Sequence, residues 1–244
     1  MTYIKLADSV WSYGLTSTEL MVYIAIKKHT NVFDRCIVKH STLARLIDAS
    51  CASVSRATHG LQAKGLLFIH QCKNKAGEQI ANGYTLETMH GGYTVLPAEI
   101  FSYKLPKSVF KVYAYLLKCK SSTSLQAVPS LSQMVAALNM SKQTIVSAVK
   151  YLHEQLFICK TGYARKSDKR IGHNRHFIIG AKLRLLVLLL ADKWQKKQKE
   201  IRVASSQKVT RKANSLTVNC IFIILQVIKK CKGLICKLFS HFLI

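Results

Sequence analysis

The sequence predicts a mainly α fold carrying small β-hairpins, an α+β arrangement of two tandem units followed by a basic, apolar tail. Three observations carry this expectation: an internal repeat, apolar residues at helical spacing inside each copy, and strand-like text around turn residues at each copy's end. The repeat is the strongest. From Tyr3 the chain reads "YIKLADSVWSYGLTSTELMVYIAI", and from Tyr93 it reads "YTVLPAEIFSYKLPKSVFKVYAYL". Tyr3, Leu6, Ser12, Tyr13, Leu15, Val22 and Tyr23 meet Tyr93, Leu96, Ser102, Tyr103, Leu105, Val112 and Tyr113 at a constant offset of 90. Further on, Ile47, Ser50, Val54, Ala57 and Leu61 meet Leu138, Ser141, Ile145, Ala148 and Leu152 at an offset of 91. The units are 1–88 and 93–180, each of ordinary domain size, and the tail is 181–244.

The first helix of each unit follows from one apolar face. Leu20, Tyr23 and Ile24 supply it in the first copy, and Phe110, Tyr113 and Leu117 in the second. Thr16, and Pro106 at the equivalent position, suit a helix start. Leu43, Leu46 and Ile47 mark a short second helix. Ser50 and Ser141 then sit where an N-cap belongs. The third helix turns Val54, Ala57, Thr58 and Leu61 inward, and its copy turns Ile145, Ala148, Val149 and Leu152 inward. Two short helices around a tight turn make a helix-turn-helix. Small residues are expected where they cross: Ala44, Ala49 and Ala57, then Ala136 and Ala148.

Each third helix leads into a predicted β-hairpin, with Gly77 and Gly172 as turn residues. A hairpin at this place is the wing of a winged helix. "TMHGGY" is a short linker with Gly91 and Gly92 as its flexible point. The tail has no counterpart in the first unit. Its "CIFIILQVI" is too short to cross a membrane, which takes about 20 apolar residues.

Charge narrows the function. Lys and Arg number 37 against 11 Asp and Glu, a formal net charge of +26. Such an excess points to a polyanionic partner, nucleic acid or an anionic membrane surface. Eight cysteines without a CxxC pair, and no visible signal peptide, read as reduced thiols in a cytoplasmic protein. His173 and His176 lie close together, but no further ligand is placed to make a metal site. Acids are sparse and there is no Gly-rich phosphate loop, so neither an enzyme nor a cofactor is expected.

The exposed faces of the third helices are the candidate base readers. The first offers Ser53, Ser55, Arg56 and His59, beside Cys51 and Ala52. The second offers Lys142, Gln143, Thr144, Ser147 and Lys150. Arg forks onto guanine and Gln onto adenine, while Ser, Thr and Lys serve bases or phosphates. The second wing is densely basic, with Lys160, Arg165, Lys166, Lys169, Arg170 and Arg175 against the single acid Asp168. A wing of this kind lies along phosphates or enters the minor groove.

"LARLIDASCASVSRATHGLQAKGLLFI" resembles the helix-turn-helix domain common in bacterial and phage DNA-binding proteins. The second unit, "LPAEIFSYKLPKSVFKVYAYL" with "MSKQTIVSAVKYLHEQLFI", is similar to the N-terminal winged helix of plasmid replication initiators from low-GC Gram-positive bacteria. These resemblances imply DNA contact from Ser53, Arg56, Ser141, Lys142, Gln143 and Thr144. They also imply a role in a mobile element, as replication initiator or transcription regulator. Double-stranded DNA is the expected partner, with replication proteins as a further class. Two other readings stay open: a protein-interaction module of a replication complex, and a membrane-surface protein acting through the basic tail. The sequence leaves the oligomeric state open.

Overall fold

A computed structural model describes residues 3–73, 79–88, 91–121, 126–161 and 175–180, with residues 189, 192, 195 and 196 as isolated helical positions. The first half runs β1 (Tyr3–Ala7), a 3₁₀ turn (Asp8–Tyr13), α1 (Ser17–His29), β2 (Arg35–Val38), α2 (His40–Ile47), α3 (Cys51–Ala63), β3 (Leu67–Lys73) and β4 (Gln79–Leu86). The second half repeats that order: β5 (Tyr93–Pro97), a 3₁₀ turn (Ala98–Tyr103), α4 (Lys107–Lys118), β6 (Gln126–Ala127), α5 (Leu131–Leu138), α6 (Lys142–Glu154), β7 (Ile158–Thr161) and β8 (Arg175–Ile178). The fold therefore mixes helices with small antiparallel sheets, ordered β2-β4-β3 and β6-β8-β7. The expected hairpins are β3/β4 and β7/β8. The additional strands β1, β2, β5 and β6 and both 3₁₀ turns are new.

Helix starts follow local chemistry. Thr16 and Glu19 close a capping box: the Glu19 amide donates to Thr16 Oγ1 at 3.2 Å, and the Thr16 amide donates to Glu19 Oε2 at 2.7 Å. Glu19 also accepts from Lys64 Nζ at 2.8 Å, tying the start of α1 to the end of α3. Gly60 in α3 makes room for that carboxylate; a Cβ there would lie 2.4 Å from Glu19 Oε1. Pro106 occupies the N-cap position of α4 with no side-chain cap. Left-handed backbone recurs at matched places: Gly14 with Lys104, Asp48 with Asn139, and Gly65 with Leu156.

The residues expected to face inward from α3 and α6 are all buried. Ala44, Ala57 and Ala148 are buried as well, and Ala49 partly so. Ala136 is not a crossing residue. It is exposed, because it stands at the position of exposed Arg45, and the half-buried Val135 and Ala137 pack in its place. Cys36, Cys51, Cys72 and Cys119 are free thiols. Cys159 departs from the expectation of reduced thiols, being disulfide-bonded. Gly77, Gly172 and His173 lie outside the described residues.

The two halves share one hydrophobic core. β1 pairs antiparallel with β5, from Tyr3 opposite Pro97 to Ala7 opposite Tyr93. At the middle of this ribbon, Lys5 lies opposite Val95, its own repeat equivalent at offset 90. α1 packs on α4, again its own counterpart. The Lys28 ammonium lies 5.7 Å from the Phe101 ring centre, and the equivalent Lys118 lies 6.0 Å from Trp11, the equivalent of Phe101. When residue i meets j′ and i′ meets j, the contact is isologous and a two-fold axis relates its sides. This axis lies inside one chain. The linker feeds directly into the ribbon: Gly91 adopts φ +108°, the Asp8 amide donates to Gly92 O at 2.9 Å, and Thr94 Oγ1 donates to Asp8 Oδ1 at 2.6 Å.

One break in the symmetry lies at Met21 and its counterpart. On one side, a cleft of about 810 Å³ opens between α2 and the second 3₁₀ turn, with Met21, Ile47 and Leu105 in its wall. On the other, the counterpart of Met21 is Lys111. Lys111 is buried, and its Nζ donates to Leu15 O and Leu138 O at 2.5 Å each. Burial, reinforced by Lys64 and opposed by Glu19, pushes this ammonium below its ordinary pKa.

Candidate nucleic-acid interface

Each candidate reader helix begins with a serine cap. Ser50 Oγ accepts from the Ser53 amide at 3.2 Å and lies 2.9 Å from Ser53 Oγ. Ser141 Oγ accepts from the Thr144 amide at 3.2 Å and lies 2.7 Å from Thr144 Oγ1. Ser53, Ser141 and Thr144 thus have structural duties at the helix start. Their hydroxyls keep acceptor capacity for a donor on a base edge.

Beyond the cap, α3 presents Arg56 and His59 to solvent, while Ser55 is half-buried. Arg56 Nε donates to Ala52 O at 3.4 Å, and His59 Nδ1 lies 2.8 Å from Ser55 O. Both side chains therefore bond back to their own helix four residues earlier. α6 exposes Lys142, Gln143, Ser147 and Lys150. Gln143, Ser147 and Lys150 fall at i, i+4 and i+7, on one helix face. Lys150 sits 3.9 Å from Glu154, an exposed pair of little energetic weight.

One residue on that face carried no signal as a polar group. Val146, 47% exposed, lies three residues after Gln143 and four before Lys150. An exposed valine between polar readers suits contact with a thymine methyl. Its helical spacing from Gln143 and Lys150 would have found it.

The candidate residues form two groups, one per half. α3 packs on α1, α1 on α4 and α4 on α6. Around α6, Lys160 is exposed on β7 and Arg175 is half-buried on β8. Arg165, Lys166, Lys169 and Arg170 lie outside the described residues. The charge is uneven. Residues 1–88 carry 10 Lys and Arg against 6 Asp and Glu, residues 93–180 carry 13 against 3, and residues 181–244 carry 14 against 2. The second half is the more basic of the two.

Histidines flank these helices without joining them. His40, at the start of α2, bonds Asn82 at 2.9 Å, and burial together with His59 lowers its pKa. His176 points into the core from β8. Burial, with Lys160 and His153 adding to it, pushes its pKa down to about 4. Among the described residues, no three His, Cys, Asp or Glu side chains cluster to hold a metal, and no helix is long and apolar enough to cross a membrane.

No protein-family model matches this chain, and no curated protein matches its sequence.

Proposed function

We propose that the two halves are tandem winged helices that bind double-stranded DNA, serving a mobile element as replication initiator or transcription regulator. The observation that carries this reading is the repeated serine-capped helix. After a short helix and a left-handed turn residue, α3 and α6 each bury one apolar face and expose Arg, Gln, Lys, Ser or His on the other. Those are the side chains that reach base edges and phosphates in a major groove. The net charge of +26 supplies the sequence-independent attraction such helices need. The resemblance of the second unit to plasmid initiators supports the mobile-element role.

Selection of bound sequences from a random duplex pool tests this reading, followed by affinity measurements across salt. A preferred sequence should emerge. With about six to ten phosphate contacts, affinity should fall by roughly 10³ to 10⁵ between 50 and 200 mM salt. A flat salt response with no enriched sequence would remove DNA as the partner.

A further inference from the structure

We infer that the two half-sites on the DNA run in opposite directions about an axis shared with the protein, as in an operator palindrome, although their base sequences differ. The inference rests on α3 and α6 being the readers proposed above. Two units copied along a chain could be related by translation, which would present the readers head to tail and demand a direct repeat. The contacts exclude that arrangement. The β1–β5 ribbon sets Lys5 against its own equivalent Val95, and the Lys28–Phe101 contact is matched by Lys118–Trp11. Only a two-fold rotation exchanges the halves while preserving these pairs. Two readers related by a two-fold axis and lying on one duplex meet the two strands with opposite polarity, as two-fold helix-turn-helix dimers do.

The spacing follows from the helical layer. α3, α1, α4 and α6 pack in sequence. Three interhelical steps of about 8–10 Å set an upper limit of about 24–30 Å on the distance between the readers. That is nearer one turn of B-DNA, about 34 Å, than two. The half-sites differ because the readers differ: the counterpart of Arg56 is Ser147, that of Ala52 is Gln143, and that of His59 is Lys150.

Unlike halves hide their own orientation, so the test makes them alike. In the full chain, the solvent face of α6 is transferred to α3 by Cys51→Lys, Ala52→Gln, Ser53→Thr, Ser55→Val, Arg56→Ser and His59→Lys. The buried residues of α3 stay unchanged. A second variant carries the reverse transfer: Lys142→Cys, Gln143→Ala, Thr144→Ser, Val146→Ser, Ser147→Arg and Lys150→His. Each is checked for folding by circular dichroism and put through the same duplex selection as the unaltered chain. The expected consensus for either variant is a palindrome with half-site centres about 10 base pairs apart. A direct repeat, a single half-site, or loss of all preference in both folded variants overturns the inference while the unaltered chain's own consensus leaves DNA binding intact. No enrichment by the unaltered chain overturns the DNA reading, and this inference with it.

Discussion

Ser141 and Gln143 stand two residues apart and face different tasks. Ser141 holds the start of α6, whereas Gln143 is exposed with nothing to hold. Their substitution should separate stability from recognition. Ser141→Ala should cost about 1 kcal/mol of folding stability, the usual loss for a serine cap. Gln143→Ala or Arg56→Ala should leave the melting temperature unchanged, relax preference at one base position, and cost roughly 1–3 kcal/mol on the preferred site. Arg165→Ala with Lys166→Ala should weaken binding to all sequences alike, as phosphate contacts do. Melting curves and affinities on selected and scrambled duplexes measure all three effects. At this scale the sequence was informative wherever a residue's role is local. A serine ahead of an apolar-periodic run announces a cap, and both caps are where that signal puts them. Val146 was missed because an apolar residue is read as core until its face is known. Lys111 gave no warning either: a lysine in a helix reads as solvated, and only the fold brings two carbonyls to it.

Two buried side chains, one on α1 and one on β8, respond to acid. The Glu19 carboxylate caps α1 and receives Lys64 from the end of α3. Burial pushes its pKa up, but the hydrogen bonds from Lys64 and Thr16 outweigh burial and leave it below 4.5. A carboxyl with a lowered folded pKa adds stability above its unfolded value and loses it as pH falls through the folded value. His176 is a lowered base, about 4 in the fold against 6.5. The unfolded chain takes up a proton between those values and the folded chain does not, so stability falls from pH 6.5 to 4 and then levels off. The shift corresponds to about 3 kcal/mol. Denaturant unfolding from pH 8 to 3 should therefore weaken in two stages. His176→Leu should flatten the upper stage. Glu19→Gln should remove the lower one and cost about 1.5–3 kcal/mol at neutral pH through loss of the charged hydrogen bond. Helices were legible from their period, and the hairpins from their position after α3 and α6. β1 and β5 were not, because each is five residues long and finds its partner 90 residues away. The two-residue β6 offers no period at all.

At the scale of the molecule, charge and core divide the chain differently. The described core ends at Ile179, while 14 of the 37 Lys and Arg lie in residues 181–244. Under reducing conditions, which open the Cys159 disulfide in both, a chain ending at Gly180 should melt as the full chain does and select the same DNA sequence, with weaker affinity for random duplex. Altered preference or loss of folding in that truncation would show the tail to be integral. The repeat itself was plain in the sequence. What the repeat could not reveal is how the copies face each other, since translation and rotation leave the same offset in the text.

In an assembly of two identical chains, a changed codon is written on both sides of the axis at once. Here the axis between β1 and β5 runs inside a single polypeptide. A changed codon alters one side and spares the other. Lys111 opposite Met21, and Gln143 opposite Ala52, are one-sided changes of that kind. On the DNA-binding reading proposed above, the gene can therefore follow a drifting target one half at a time, with the unaltered half holding on while the other is rewritten.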